Sequence, residues 1–201
     1  MTTPSQITAV ILAGGRARRM QGRDKGLIEL SGKPLIQYVI DTIKSQVNEI
    51  FISANRNIEE YKRFDYQVLS DVQQDFPGPL AGIAAAFQQC KTEYLLVVPC
   101  DTPFLPTNLA SSLLTQLKQD NVDVCIAHDG NRLQPLVALL SRSLGPKLDE
   151  SIQAGHLKVE RWMLEQTHCI ARFSTQNEFI NINNEDELLR AEQLLQTKGR
   201  L

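Results

Sequence analysis

Short apolar runs alternate along the chain with longer stretches in which apolar residues return every third or fourth position, the pattern of a mostly parallel sheet covered on both faces by helices. "ITAVIL" from Ile7 predicts the first strand. Pro34 then opens a helix along which Leu35, Ile36, Val39, Ile40, Ile43 and Val47 recur on one stripe. The strand "EIFISA", a short helix near Glu59, the strand "YQVLS", a helix through "LAGIAAAFQQC" and the strand "YLLVVP" repeat the βαβ theme. Beyond them Pro106 starts a helix carrying Leu109, Leu113, Leu114 and Leu117, and "DVCIAH" reads as a strand. The turn "HDGNR" is too short for a helical crossover, so "QPLVALL" is expected to run antiparallel and make the sheet mixed. Helical segments around Leu148 and Trp162, strands "CIARF" and "FINI", and a last helix from about Glu185 to Gln196 complete the prediction. The fold class expected is α/β: a three-layer α/β/α, Rossmann-like, mostly parallel mixed sheet.

Composition narrows this picture without redirecting it. A length of 201 residues suits one domain spanning 1–201, and 42% apolar with 22% charged residues is ordinary for a globular protein. The stretch Ile7 to Ala13 follows no basic segment and is too short to cross a bilayer, so the expectation is a cytoplasmic protein without a membrane partner. Cys90, Cys100, Cys125 and Cys169 are scattered singly, which predicts reduced, mostly packed thiols, and His128, His156 and His168 show no metal-ligand spacing.

Charge changes the picture locally. The net charge is −2, yet "LAGGRARRMQGRDKG" sets Arg16, Arg18, Arg19, Arg23 and Lys25 among four glycines against the single acid Asp24. Glycines let backbone N–H groups approach an anion, and the cations neutralise it. The stretch therefore reads as a phosphate loop, placed after the first strand where α/β sheets bind ligands. A Walker loop is excluded because Pro34 follows the lysine of "SGKP", and a dinucleotide fingerprint because Gly14 and Gly15 are adjacent. A basic loop without an aromatic platform argues against a nucleic-acid partner. "YLLVVPCD" runs a strand into Asp101, a candidate Mg2+ ligand because magnesium takes few carboxylates beside phosphate oxygens, the alternative being a turn cap. Asp71 ends "YQVLS" and could accept hydrogen bonds from the N–H groups of a bound base, or merely form a turn. Asn181 and Asn183 alternate in "FININ", so a strand would project both to one face, whereas Asn183 or Asn184 could cap the last helix with Glu187. Lys158 and Arg161 could meet a ligand, but read first as a solvated helix face.

The order strand, LAGG, RRM, DKG, SGKPL is similar to the signature of nucleotidyltransferases of the nucleotide-diphospho-sugar transferase fold. Through "LAGGRARRM", "DKGLIEL", "GKPLI", "SANR", "FPGPLAG", "VVPCDTPFL", "QPLVAL" and "FININ", the whole chain resembles the bacterial molybdenum cofactor guanylyltransferases. That resemblance implies transfer of GMP from GTP to molybdenum-molybdopterin with release of pyrophosphate, assisted by Mg2+. It implies an N-terminal GTP half and a C-terminal molybdopterin half, and makes molybdenum-insertion and apo-molybdoenzyme delivery proteins plausible partners. Carried over by position, Arg19, Lys25 and Asp101 are the catalytic set, with Asp101 the metal ligand. Leu12, Ala13, Gly14, Gly15, Lys25, Ser53, Asp71, Gly78, Pro79, Leu80 and Asp101 form the nucleotide site, and Asn181 and Asn183 meet the pterin. Ser53 stands where the family has asparagine, and Gln21 where it has glycine. The competing readings are a relative that transfers another nucleotide or accepts another substrate, such as a molybdopterin cytidylyltransferase or a cobinamide-phosphate guanylyltransferase, and a non-catalytic GTP- or cofactor-binding module.

Overall fold

The computed structural model describes residues 6–13, 24–70, 78–173 and 177–198. Their centre is a seven-stranded sheet. In chain order its strands are β1 (Ile7–Leu12), β4 (Glu49–Ser53), β5 (Gln67–Leu69), β6 (Tyr94–Pro99), β7 (Val124–His128), β8 (Leu133–Ser141) and β9 (His168–Arg172), and a two-residue-strand hairpin, β2 (Glu29–Leu30) and β3 (Lys33–Pro34), stands apart. The sheet order is β5-β4-β1-β6-β8-β7-β9, and only β8 runs against the others. The antiparallel "QPLVALL" and the mixed sheet are thus as expected.

The helices are α1 (Leu35–Ile43), α2 (Ile58–Lys62), α3 (Pro79–Gln89), α4 (Leu109–Asp120), α5 (Gly145–Gln153), α6 (Val159–Leu164) and α7 (Glu185–Lys198). They cover the sheet on two sides because its strands are apolar on both. Ile7, Ala9 and Ile11 of β1 join the cluster under α1 and α4, while Val10 joins the opposite cluster under α3, α5 and α6. A third, smaller cluster joins Ile28, Leu30 and Leu35 of the hairpin region to Phe104, Ile182 and Ala191, fastening α7 and the segment before it near the site.

Three expectations need correction. Helix α1 ends at Ile43, so Val47 of the expected stripe lies beyond the helix, though buried in the same cluster. Helix α4 begins at Leu109, not Pro106, after two intervening turn residues. "FINI" forms no strand: residues 180–183 lie outside every ladder. Its period-two pattern arises because Ile180 and Ile182 pack into the third cluster while Asn181 and Asn183 face a cavity. All four cysteines are free and buried.

Candidate active site

After β1 the chain turns to one side of the sheet for β4 and β5, then returns to the other side for β6. This switch point leaves a crevice beyond the carboxyl ends of the strands, where open α/β sheets bind ligands. Here the strand ends are level. Leu12 is in register with both Ser53 and Pro99, the Ala13 N–H donates to the Ser53 carbonyl at 2.8 Å, and the Cys100 N–H donates to the Leu12 carbonyl at 3.1 Å. Pairing of β6 with β8 ends at Val97 opposite Ala138. Past that pair the two strands part, and because β8 runs backwards its early residue Leu136 reaches the same edge.

The result is a cavity of about 460 Å³, bounded by Leu12, Ser53, Gly78, Pro79, Gly82, Pro99, Cys100 and Leu136 and carrying the polar groups of Lys25, Asn55, Asp101, Asn181 and Asn183. Lys25 is its electrostatic centre. The Lys25 ammonium donates to Asp101 Oδ2 at 3.0 Å and to Asn183 Oδ1, with the two charged side chains only 20% and 10% exposed. Asp101 in turn holds the C-terminal segment, its carbonyl accepting from the Ile182 N–H at 2.9 Å while the Thr102 hydroxyl donates to Asn181 Oδ1 at 2.6 Å. Asn184 Oδ1 accepts from the Glu187 N–H at 2.9 Å, and the Glu187 carboxylate reaches back to the Asn183 N–H at 2.6 Å, a closure akin to a capping box. The alternatives for "FININ" therefore fall on different residues: Asn184 caps α7, which leaves the Asn183 amide to the cavity. Burial, followed by the nearby charges of Asp101 and Asp24, pushes the Cys100 thiol well up, so it stays a neutral packing group rather than a thiolate nucleophile.

The expected residues thus divide three ways. Leu12, Lys25, Ser53, Gly78, Pro79, Asp101, Asn181 and Asn183 line the cavity. Ala13 and Leu80 are buried, Leu80 within the core, and neither lines the cavity. Gly14, Gly15, Arg16, Arg18, Arg19, Gln21, Arg23 and Asp71 lie outside the described residues. Lys158 and Arg161 border a separate hollow of about 700 Å³, which meets the cavity at Pro79 and Leu136, and Arg161 pairs with Glu165 at 2.8 Å. Asn55 and Leu136 were not anticipated. Asn55 sits two residues beyond the end of β4 in "SANR", and Leu136 follows Pro135 in "QPLVAL"; only the reversal of β8 reveals the latter's place.

Gly82 sets how closely α3 approaches. A Cβ there would stand 2.3 Å from Ser53 Oγ, 3.0 Å from Leu12 Cδ2 and 3.1 Å from Ser53 Cβ. Rotating the serine relieves only the first. Gly82→Ala is therefore expected to cost about 1–3 kcal/mol as overpacking, lowering the melting temperature by about 2–4 °C per kcal/mol. Ser53→Ala should restore only part of that loss in a calorimetric scan.

A sheet of this order, with a lysine–carboxylate pair at its switch point, defines an open, doubly wound α/β protein with its site at the strands' carboxyl ends. Residues 9–170 match the family model described as "MobA-like NTP transferase domain", and the chain belongs to that family. It is 48% identical over 183 residues to the "Molybdenum cofactor guanylyltransferase" of Shewanella sediminis, covering 90% of this chain and 93% of that one. It is 46% identical over 185 residues to the protein of the same name from Shewanella putrefaciens, covering 92% and 95%. Among solved structures, the "Molybdopterin-guanine dinucleotide biosynthesis protein A" of Archaeoglobus fulgidus superposes with a TM-score of 0.76 at 23% identity, covering 94% of this chain and 99% of that one.

Proposed function

We infer that this chain transfers GMP from GTP to molybdopterin, with the guanine nucleotide held by the N-terminal half and the pterin by the C-terminal half. The observation that carries this reading is the Lys25 bridge: one ammonium ties Asp101, at the nucleotide edge of the sheet, to Asn183, ahead of α7. The relatives named as guanylyltransferases supply the identity of the nucleotide.

The reaction forms a bond between a molybdopterin phosphate oxygen and the α-phosphorus of GTP and breaks the bond from that phosphorus to the bridging oxygen, so pyrophosphate leaves. A phosphate monoester loses its second proton near a pKa of about 6, so the nucleophile needs no strong general base at neutral pH. The protein's work is positioning and neutralising charge. Lys25 and Arg19 act on the triphosphate, Asp71 reads guanine, the backbone after β1 and the first turn of α3 approach the nucleotide, and Asn181 and Asn183 orient the pterin. Among the described residues no three His, Cys, Asp or Glu side chains converge. Asp101 would hold a magnesium ion together with substrate phosphates, a donor set that suits this ion. When bound, the ion would supply further neutralisation of the triphosphate. No helix among the described residues is long and apolar enough to cross a membrane.

Thermal melting with each nucleoside triphosphate, with and without magnesium, tests the nucleotide. At a hundredfold excess over its dissociation constant, GTP should raise the melting temperature by about 5–10 °C, with ATP and CTP near baseline. A preference for CTP would instead place the chain with the cytidylyltransferases. Release of pyrophosphate only when molybdopterin joins GTP would separate a transferase from a binding module.

A further inference from the structure

The backbone on either side of Lys25 is contacted from a helix that does not touch the cavity. β1 ends at Leu12, Ala13 follows it, and Asp24 directly precedes Lys25. Tyr61, in the short helix α2, lies at both points: its hydroxyl donates to Asp24 Oδ1 and is 3.4 Å from the Ala13 carbonyl. Asp24 is 7% exposed, and its other oxygen accepts from Asn57 Nδ2 at 3.1 Å. A carboxylate taken out of water needs such donors, and losing one leaves the group partly unsatisfied. Burial, and then the neighbouring groups Cys100 and Asp24, push the Tyr61 phenol up, so it remains a proton donor through the working pH range.

The far side of Lys25 is equally constrained. A Cβ on Gly26 would lie 2.6 Å from Tyr61 Oη and 3.3 Å from both Cβ and Sγ of Cys100. The Leu27 N–H donates to the Asp24 carbonyl at 3.1 Å and the Ile28 N–H to that of Lys25 at 3.2 Å, closing a single tight turn. Lys25 therefore projects from a peptide anchored on one side by the Asp24 carboxylate and pressed on the other against Tyr61 and Cys100. Tyr61 itself is fully buried and lines none of the cavity.

We propose that Tyr61 is a positioning residue for Lys25: by fixing the Asp24 carboxylate beside the end of β1, it aims the lysine ammonium at Asp101. The proposal rests on Lys25 acting on the triphosphate. An ångström-scale displacement of such a group can cost up to about 100-fold in rate; loss of one of two anchors on Asp24 is expected to cost about tenfold.

The test is a double-mutant cycle of Tyr61→Phe and Lys25→Ala, reading kcat for pyrophosphate release and, by calorimetry, GTP affinity. Tyr61→Phe should lower kcat about tenfold in the parent and by less than about twofold in the Lys25→Ala background, because a residue acting through Lys25 has nothing left to position. A merely structural role would slow both backgrounds by the same factor, and that result, or a Tyr61→Phe enzyme within about twofold of the parent, overturns the proposal. A fully active Lys25→Ala enzyme would instead remove the underlying reading of Lys25, a separately visible failure. If Tyr61→Phe melts below the assay temperature, Asn57→Asp serves the same cycle. Asp is tolerated at the left-handed backbone of residue 57 (φ 49°) and sets a like charge against Asp24.

Discussion

Lys25→Ala is expected to lower turnover by about 100-fold or more, the loss typical of removing a donor that stabilises charge developing in a transition state. GTP affinity should weaken too, since an ammonium beside a triphosphate is felt in the ground state. Lys25→Arg should not rescue. The ammonium sits as a point donor between Asp101 Oδ2 and Asn183 Oδ1, whereas guanidinium is a planar fork requiring different geometry. Stability must be followed separately. Removing the cation strands the Asp101 carboxylate, which is 10% exposed; stranding a fully buried charge costs about 3–5 kcal/mol, and this site should stay below that range. A variant that melts a few degrees lower yet is inactive well below its melting temperature supports the chemical role. Near-parent turnover with lowered stability would make Lys25 a structural cation only.

What could be read from the sequence follows from how local each signal is. β1, β4 and β6 were legible because strands buried on both faces are continuous apolar runs. Asp101 was legible because it stands directly beyond such a run. "FININ" misled because alternation alone does not distinguish a laddered strand from a strap whose isoleucines meet one cluster and whose asparagines meet a cavity; its ties to the site are the Ile182 N–H on the Asp101 carbonyl, the Thr102 hydroxyl on Asn181 Oδ1 and the Lys25 ammonium on Asn183 Oδ1. Tyr61 left no trace in the pattern. In "IEEYKRF" it is an aromatic residue on a short polar helix, and its partner Asp24 lies 37 residues earlier. Leu136 required the direction of β8, a property of topology rather than of any window. Local position was thus readable, and long-range anchoring was not.

Asp101→Ala should separate two effects that act in opposite directions on the same nucleotide. Turnover is expected to fall by about 10²–10³-fold, because the site loses the carboxylate that would place positive charge beside the phosphates. GTP binding measured without divalent metal should not weaken and should tighten modestly. The parent presents the triphosphate with a carboxylate whose Lys25 partner is already engaged at 3.0 Å; the variant removes that like charge and releases the ammonium for the ligand. Calorimetric titration of GTP with and without magnesium reads both effects, the expected signature being loss of the magnesium-dependent gain in affinity with metal-free binding retained. If metal-free affinity collapses together with turnover, Asp101 acts by holding Lys25 in place rather than through an ion. Asp101→Asn adds a control, since it keeps the side chain's shape while removing the charge; it should lose turnover as Asp101→Ala does.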